Sequence, residues 1–276
     1  MNIVEIFKKI KLKIISYLRK KFINPKTEFY IISFPKSGRT WLRFFLSKYF
    51  YLNFNRPEGL DFRSFFKNKK IPRIGFTHCE AHKKNKFTEV KIIVKKFYEK
   101  KVIFLYRDPR DVIVSHYFQY TKKDFQYNKD VEKKITLSDF IRHPKLGISR
   151  IVYFMNFVYE QKDFFNKFIM ISYEDCQKDA FVCFNKILNF LDIKNINENC
   201  LKEAIQESSF SKMKKVESQN ELNDERLKPT DVNDAESYKV RKGKIGGYKE
   251  YLNSEDISYV NGEIKKLNKI FKYNLD

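Results

Sequence analysis

The chain is poor in the residues that mark several common classes of protein. Its 276 residues include 8 glycines, 7 prolines, 4 histidines, 4 cysteines and 1 tryptophan. The cysteines Cys79, Cys176, Cys183 and Cys200 show neither paired metal-ligand spacing nor the density of a disulfide scaffold. We therefore expect no metal site and four reduced, partly buried thiols, as in a cytoplasmic protein.

Glycine is also missing from the pattern that a Walker phosphate loop requires, and the chain has no internal repeat or long low-complexity tract. A length of 276 residues is enough to bury one substantial core. We expect a single catalytic domain over residues 27–276, preceded by a distinct basic segment over residues 1–26.

The segment 1–26 places apolar residues at helical spacing between lysines and arginines, namely Ile3, Phe7, Ile10, Ile14, Leu18 and Phe22. This pattern predicts an amphipathic basic helix that charge interrupts too often for it to span a bilayer. Two hypotheses stay open for it: contact with an anionic membrane surface through residues 3–22, or packing of its apolar stripe on the domain.

Acidic residues are scarce relative to basic ones, and the formal net charge is +22. Such an excess is typical of proteins that bind nucleic acid or anionic membranes. However, the lysines accompany abundant Ile, Asn, Phe and Tyr, a set that AT-rich coding tends to produce. Since no nucleic-acid-binding signature is present, we expect no nucleic-acid partner.

Short apolar runs alternate with helical patterns along most of the chain. The runs lie at about 29–33, 73–77, 101–106 and 168–172, and the helical patterns at 40–51, 110–121, 149–166, 177–191, 198–207 and 255–271. This alternation predicts an α/β fold with a central parallel sheet flanked by helices. The polar stretch 213–238 is expected to form a long surface loop.

The most informative segment runs from Ser33 to Leu42, between the first apolar run and the first helical pattern. A strand, a tight turn and a helix in this order cradle a phosphate, because backbone N–H groups at the helix start point at the anion. Lys36 adds a positive charge, and the hydroxyls of Ser37 and Thr40 add donors. The segment predicts a P-loop-like phosphate-binding strand–loop–helix.

The order Pro35-Lys36-Ser37-Gly38, followed by Thr40-Trp41, resembles the 5′-phosphosulfate loop of sulfotransferases that use 3′-phosphoadenosine-5′-phosphosulfate (PAPS). Four further segments resemble elements of that family and follow in its order: 107–115, 168–175, 208–213 and 241–246. Together these segments extend the resemblance from residue 29 to about residue 250. The family's fold is also α/β, in agreement with the strand pattern.

The resemblance implies a role for each matching residue. Those expected at the 5′-phosphate are Lys36, Ser37, Gly38, Arg39 and Thr40. Those expected around the adenine are Trp41, Tyr173 and Phe210. Those expected at the 3′-phosphate are Arg107, Ser115, Arg241, Lys242 and Gly243.

The resemblance also implies the catalytic groups, with PAPS as sulfuryl donor and no metal. His78, in a Thr-His pair after an apolar run, is expected to act as general base, with His82 as its nearest rival. Lys36 is expected to stabilise the leaving phosphate. A catalytic pair of His78 with Cys79 is disfavoured, because neighbours on a strand point to opposite faces.

Two departures from the family pattern stand out. Arg39 occupies a position where a small hydroxyl residue is usual, and Gly247-Tyr248 occupies a position where Asp-Trp is usual. The acceptor, an alcohol, phenol or amine, could be a small molecule, a lipid or a saccharide. Aromatic residues in the expected acceptor loops (51–72, 79–98, 118–147 and 213–240) suit a ring or lipid, and include Phe54, Phe65, Phe66, Tyr117, Phe118 and Tyr120. The interleaved lysines suit an acidic sugar.

Two other function classes stay open at this point: a nucleotide-dependent kinase and a non-catalytic protein that binds a membrane or a polyanion. The missing Walker pattern counts against the kinase, and the presence of both Lys36 and His78 counts against the binding protein. Oligomeric state is open, because no dimerisation motif of the animal cytosolic enzymes is recognisable.

Overall fold

The computed structural model describes residues 26–62, 70–81, 87–123, 134–222, 224 and 227–275. The predicted amphipathic helix and its hypothetical membrane contact lie outside these residues. So do His82, Phe65 and Phe66. No helix in the described part of the chain is long and apolar enough to cross a membrane.

Four strands form one parallel sheet in the order β2-β1-β3-β4. Their bounds are β1 Phe29–Ile32, β2 Ile74–Thr77, β3 Lys101–Tyr106 and β4 Lys167–Ser172. β1 and β3 are neighbours at the centre, with Phe29 level with Lys101 and Ile32 level with Phe104. The loops that follow these two strands therefore leave the same edge of the sheet side by side.

Helices cover both faces of the sheet. Their bounds are α1 Arg39–Phe54, α2 Phe87–Val94, α3 Pro109–Phe118, α4 Leu137–Arg142, α5 Ile148–Glu160, α6 Tyr173–Lys178, α7 Ala180–Phe190, α8 Glu198–Glu207, α9 Phe210–Gln219 and α10 Ser254–Ile264. A π-helical turn, Gln119–Lys123, extends α3. The predicted α/β fold with a parallel sheet is confirmed.

Successive side chains of each strand point to opposite faces of the sheet, so the core has two parts. Tyr30 and Ile32 of β1 point into one hydrophobic cluster, which includes residues of α3 and α5. Phe29 and Ile31 point into the other, which includes residues of α1, α7 and α8. Because successive strand residues face opposite sides, a strand buried on both faces reads as a continuous apolar run.

Side-chain caps fix where the helices begin. The Asp108 carboxylate accepts a hydrogen bond from the Arg110 N–H at the start of α3, and Pro109 occupies a first-turn position, where its missing N–H is not needed. The Ser172 hydroxyl accepts from the Asp175 N–H at the start of α6. Ser172 is the last residue of β4 and Asp108 is the second residue after β3, so the chain turns from strand to helix within two residues.

The predicted surface loop over 213–238 is wrong in its first part, because α9 runs from Phe210 to Gln219. Its apolar residues Phe210, Met213 and Val216 recur every three residues and pack in a third hydrophobic cluster. The many lysines between them concealed this period. Helices α2 and α4 likewise occupy parts of the acceptor segments that we expected to be loops.

The prediction of four reduced thiols is wrong for two of them, since Cys176 and Cys183 form a disulfide. The chain breaks between α6 and α7 at Asp179, whose carboxylate caps α7. That break brings the two Cα atoms to 5.2 Å, within the range for a disulfide. The sequence predicted one uninterrupted helix over 177–191, so the close approach of Cys176 and Cys183 could not be foreseen. Cys79 and Cys200 are free thiols, as predicted.

Candidate active site

A cavity of about 850 Å³ opens where β1 and β3 end. Apart from Ser37, every residue predicted to bind the donor or to catalyse the reaction lines it, including His78 and Lys36. Ser37 is 2% exposed and lies beneath the loop. Segments more than 200 residues apart in sequence thus meet at one edge of the sheet, where parallel α/β folds bind their ligands.

The loop after β1 has the backbone shape that the phosphate-binding hypothesis needs. Gly38 has φ 93°, in the left-handed region that favours glycine, and α1 begins at the next residue. A Cβ on Gly38 would come within 2.7 Å of the Tyr173 ring. Two features therefore require glycine at position 38: the left-handed backbone of the turn and the close packing of the Tyr173 ring. The first three residues of α1, Arg39, Thr40 and Trp41, line the cavity.

Lys36 lies at the centre of the cavity wall. Its Nζ donates to the side-chain oxygen of Gln119 at 3.4 Å. Burial, followed by the charges of Lys239 and Lys123, lowers the pKa of Lys36 to about 7. An anion that enters the cavity would favour the charged form of Lys36 and raise this pKa again.

Arg107, directly after β3, braces the loop after β1. Its guanidinium donates to the carbonyl oxygens of Lys36 at 3.4 Å and Lys244 at 2.8 Å, and lies 4.4 Å from the centre of the Tyr173 ring. It also pairs with Asp111 at 3.4 Å, and the two side chains are 11% and 2% exposed. Arg107 therefore ties the phosphate loop to the C-terminal segment that closes the cavity.

Asp111 was not predicted as a site residue, although it belongs to the motif around Arg107. Its carboxylate accepts from the backbone N–H groups of Gly246 at 2.9 Å and Tyr248 at 3.0 Å. Burial raises the pKa of Asp111, and the charge of Arg107 opposes that rise. Asp111 thus holds the backbone on either side of Gly247, in the segment where Gly247-Tyr248 departs from the family pattern.

The other residues expected at the 3′-phosphate also reach the cavity wall. Ser115 is buried on α3. Arg241 pairs with Glu236 at 2.7 Å and donates to the Tyr251 hydroxyl at 2.7 Å. Lys242 pairs with Glu250 at 2.7 Å. These cations therefore stand beside carboxylates, an arrangement that holds them in place around the cavity.

Three aromatic residues expected around the adenine form one side of the cavity. Trp41 meets Tyr173 edge-to-face, with ring centres 5.7 Å apart. The Tyr173 hydroxyl donates to the carbonyl oxygen of Gly243 at 3.0 Å. Gly243 has φ 64°, and a Cβ there would lie 2.7 Å from the Phe210 ring. Trp41 also packs against Phe184, so it belongs partly to the core.

His78 is held with a defined ring orientation. Its Nδ1 lies 2.8 Å from the carbonyl oxygen of Ser33, so Nδ1 carries the proton and donates to that oxygen. This tautomer places the lone pair on Nε2, the nitrogen a general base needs. Cys79 is 0% exposed, and burial raises the pKa of its thiol to about 12. The disfavoured cysteine–histidine pair is thus excluded, because the thiol stays protonated.

Of the remaining histidines, two are described. His116 is buried in edge contacts with Phe34 and Phe140. The Nδ1 of His143 accepts from the backbone N–H groups of Lys145 and Leu146. His116 also lines the cavity, but its ring is 1% exposed and packed between the two phenylalanines, so His78 is the described histidine better suited to base catalysis.

Sequence reasoning missed three residues at the site besides Asp111. Gln119 contacts Lys36, and Lys239 lines the cavity two residues before Arg241. Glu217 is 0% exposed and accepts from the backbone N–H of Val240 at 2.7 Å. In the sequence, the one signal for Glu217 is its position as a lone glutamate on the apolar stripe of α9. Within the described ranges, no cluster of three or more His, Cys, Asp or Glu residues could hold a metal ion.

A family model, that of the sulfotransferase domain, matches residues 26–272. The chain belongs to this family. It is a sulfotransferase, which confirms the resemblance identified in the motifs and decides against the kinase and binding-protein alternatives.

Two relatives illustrate the range of this enzyme family. The 3-beta-hydroxysteroid sulfotransferase of Cavia porcellus is 27% identical over 255 residues, which cover 85% of this chain and 81% of that protein. The amine sulfotransferase of Oryctolagus cuniculus is 26% identical over 239 residues, covering 82% of this chain and 75% of that protein.

Two solved structures share the fold. A mouse sulfotransferase complexed with PAP is 22% identical, with a TM-score of 0.57 over 91% of this chain and 87% of that one. A retinol dehydratase in complex with androsterone and the inactive cofactor PAP is 16% identical, with a TM-score of 0.59 over 89% of this chain and 81% of that one.

Proposed function

We propose that this sulfotransferase uses PAPS as donor and transfers its sulfuryl group to a hydroxyl or amine of a small-molecule acceptor. The observation that carries the proposal is the convergence of the phosphate loop, Lys36 and His78 on one cavity, together with a second basic group around Arg107. Two separated cationic regions suit a donor with phosphates at both its 3′ and 5′ positions.

The residues present fit this donor on three counts. A cavity of about 850 Å³ lies within the usual range for ligand sites. Gly38 and Gly243 let the Tyr173 and Phe210 rings pack directly against the backbone, which fixes these two rings at the cavity. Trp41, Tyr173 and Phe210 offer ring faces and edges to an adenine.

Lys36 and the N–H groups at the start of α1 would hold the 5′-phosphate, with Ser37, Gly38, Arg39 and Thr40. Arg107, Ser115, Arg241, Lys242 and Gly243 would hold the 3′-phosphate. PAPS supplies the sulfuryl group and leaves as 3′,5′-adenosine bisphosphate (PAP). As in phosphoryl transfer, the protein contributes mainly positioning and charge stabilisation.

The proposed chemistry uses two side chains. His78 would take the proton of the acceptor at Nε2 as the new bond to sulfur forms, since its Nδ1 is already committed to the Ser33 carbonyl. Lys36 would neutralise the charge that grows on the bridging oxygen as the bond between sulfur and that oxygen breaks. Positive charge from Lys36 is sufficient for this role, so we propose no metal.

A small-molecule acceptor is supported by the size of the cavity, about 850 Å³, and by relatives named for steroid and amine substrates. We propose separately that the protein is cytoplasmic. The free thiols Cys79 and Cys200 favour the cytoplasm, whereas the Cys176–Cys183 disulfide is a bond that persists mainly in oxidising compartments. Subcellular fractionation decides between the cytoplasm and an oxidising compartment, and recovery in a secretory fraction would contradict the cytoplasmic proposal.

The direct test is incubation with PAPS and a panel containing a hydroxysteroid, a phenol and an aryl amine. We expect PAP and a sulfated acceptor in equal amounts from at least one class, measured by ion-exchange chromatography and mass spectrometry. The matched control replaces PAPS by ATP and Mg²⁺. A phosphorylated product in the control, with PAPS unchanged by every acceptor, would contradict the proposal.

A further inference from the structure

The closing segment, residues 239–248, forms one wall of the cavity and carries two of the cations expected at the 3′-phosphate, Arg241 and Lys242. Residues 239–246 belong to no helix or strand. Their backbone is therefore held by contacts with other parts of the chain, and these contacts decide where the two cations lie.

The middle and the end of the closing segment are held by residues that line the donor site. The Tyr173 hydroxyl donates to the carbonyl oxygen of Gly243 at 3.0 Å. The Asp111 carboxylate accepts from the N–H groups of Gly246 and Tyr248. These contacts follow the two cations in the chain, so the start of the segment needs a contact of its own.

Glu217, on α9, supplies that contact. One oxygen of its carboxylate accepts from the N–H of Lys239, and the other accepts from the N–H of Val240 at 2.7 Å. The side chain is fully buried, and the Nζ of Lys123 lies 3.9 Å from the first oxygen. A carboxylate suits this position because both of its oxygens accept, whereas an amide would place its NH₂ group against one of the two N–H groups.

The same face of α9 contacts the closing segment at a second point. Phe210 lies seven residues before Glu217, which places it two helical turns, or about 10 Å, away on that face. The Phe210 ring packs against Gly243, where a Cβ would lie 2.7 Å from it. Three residues of extended chain, from Val240 to Gly243, also span about 10 Å. The segment therefore runs along α9 in the opposite direction, with the two cations between the two contacts.

The ion pairs of the two cations have a different role. Glu236 pairs with Arg241 and Glu250 pairs with Lys242, at separations of five and eight residues in the chain. These pairs fix each charged group relative to its own stretch of the chain. Glu217 belongs to a separate helix, so it fixes the backbone from which both cations extend.

We propose that Glu217 is a positioning residue for recognition of the 3′-phosphate. By holding the start of the closing segment, it sets how strongly the enzyme prefers a nucleotide with a 3′-phosphate to one without it. The inference rests on the proposed function, in which Arg241 and Lys242 contact that phosphate. The negative charge of Glu217 would by itself weaken the binding of an anion, so its contribution comes from the position that it gives to the two cations.

The test compares PAP with 5′-AMP, which differ only in the 3′-phosphate, in Glu217→Gln and wild type. Calorimetric titration gives the Kd of each nucleotide, and the melting temperature shows that the variant is folded. Because one N–H loses its acceptor, we expect the ratio of the Kd for 5′-AMP to the Kd for PAP to fall about tenfold. The charge of Glu217 also acts on Lys36. Since both nucleotides carry the 5′-phosphate, that effect cancels in the ratio.

Turnover supplies a readout that a general loss of stability would not give. With PAPS as substrate, Glu217→Gln should raise the KM for the donor and leave kcat near the wild-type value. Glu221→Gln is the matched control, because it removes the same charge from an exposed position four residues further on and should leave the ratio unchanged. In a double variant, the effects of Glu217→Gln and Arg241→Gln should not add, since both act on one contact.

Hydrogen exchange in the wild-type enzyme gives a second test, which does not depend on the folding of a variant. The N–H groups of Lys239 and Val240 are bonded to a buried carboxylate before any nucleotide binds. We therefore expect them to exchange with deuterium about as slowly as the N–H groups of α9 in the absence of PAP.

Three results would overturn the inference. They are a wild-type ratio in Glu217→Gln, equal weakening of PAP and 5′-AMP in that variant, and unprotected exchange at Lys239 and Val240 in the free enzyme. Failure of the proposed function is distinguishable, because the wild-type enzyme would then bind PAP no more tightly than 5′-AMP.

Discussion

The two sides of the cavity are built in different ways. On the side of the proposed donor (the donor side), Arg107 follows β3 and Arg241 lies in the closing segment, and their guanidinium groups pair with Asp111 and Glu236. On the side left for the acceptor (the acceptor side), Lys123 lies 3.9 Å from the buried carboxylate of Glu217, which also accepts from the backbone N–H of Lys239. Ion pairs therefore fix the arginines of the donor side, whereas a hydrogen bond from its own backbone to a buried carboxylate positions Lys239.

This contrast separates two ways of placing a basic side chain at the cavity. Pairing with a carboxylate fixes Arg107 and Arg241 directly, which suits the phosphates of the proposed donor. Glu217 instead positions Lys239 through its backbone N–H, and Lys239 lines the cavity. Substitutions on either side of the cavity test this difference between the two sides.

The largest effect should come from His78, which stands between the two sides. His78→Ala should lower kcat by about two to four orders of magnitude, the usual contribution of a general base, with little change in PAP affinity. Stopped assays for PAP formation and calorimetric titration of PAP give the two quantities. His143→Ala, which removes a histidine outside the cavity, is the control. A His78→Ala enzyme with wild-type kcat would contradict the base assignment.

The next effect concerns the turn that shapes the donor side. Gly38→Ala forces a side chain into left-handed backbone and against the Tyr173 ring. We expect the free energy of unfolding to fall by about 2 kcal/mol and PAP binding to weaken at least about tenfold.

Denaturant unfolding and calorimetry measure these two changes. Gly262→Ala is the matched control, since Gly262 lies in α10 with nothing within 4 Å of the added Cβ. It should raise stability by about 0.5–1 kcal/mol. A Gly38→Ala protein as stable as the wild type would show that the turn does not require glycine.

Asp111→Asn tests whether ion pairing preorganises the donor side. The amide keeps one acceptor oxygen for the backbone of Gly246 or Tyr248, but loses the charge that fixes Arg107. PAP affinity should fall about threefold to tenfold, mainly through faster release, because loss of a buried charge partner acts on dissociation. Stopped-flow fluorescence of Trp41 measures the release rate. An unchanged rate would mean that the closing segment is held by other contacts.

A smaller effect concerns the protonation of Lys36 when PAP binds. With a pKa of about 7, Lys36 is largely neutral above that pH in the free enzyme. An anion at Lys36 raises this pKa, so PAP binding should take up protons at about pH 8 and weaken as pH rises through 7.

Calorimetry in buffers of different ionisation enthalpy measures the uptake. Lys36→Met should remove most of it, whereas Lys239→Gln should remove only the part contributed by Lys239, whose pKa is lowered to about 8. Uptake that is the same in Lys36→Met and wild type would contradict the lowered pKa.

The residues that the sequence singled out for the donor lie around one cavity apart from Ser37, and they could be found because they fall within short motifs. Lys36, Gly38 and Trp41 are separated by a few residues and follow a strand that an apolar run identifies. The acceptor side could not be predicted in this way. Glu217 and Lys239 carry no local motif, and their position depends on α9, which we expected to be loop.

The fold shows the same division. Strand positions and sheet type were predictable, because buried parallel strands read as continuous apolar runs. The break at Asp179 and the resulting Cys176–Cys183 disulfide were not, since a cap residue inside a helical pattern is a weak signal. Non-local contacts therefore account for most of what the sequence did not predict.

The central claim is a site for two phosphates on one nucleotide, and thermal unfolding with added nucleotides tests it most directly. PAP, 5′-AMP and ATP with Mg²⁺ would each be titrated against the wild-type enzyme. Because a ligand that binds only the folded state raises the melting temperature, we predict strong stabilisation by PAP and little by 5′-AMP. Equal stabilisation by PAP and 5′-AMP, or a response to ATP with Mg²⁺ alone, would contradict the claim.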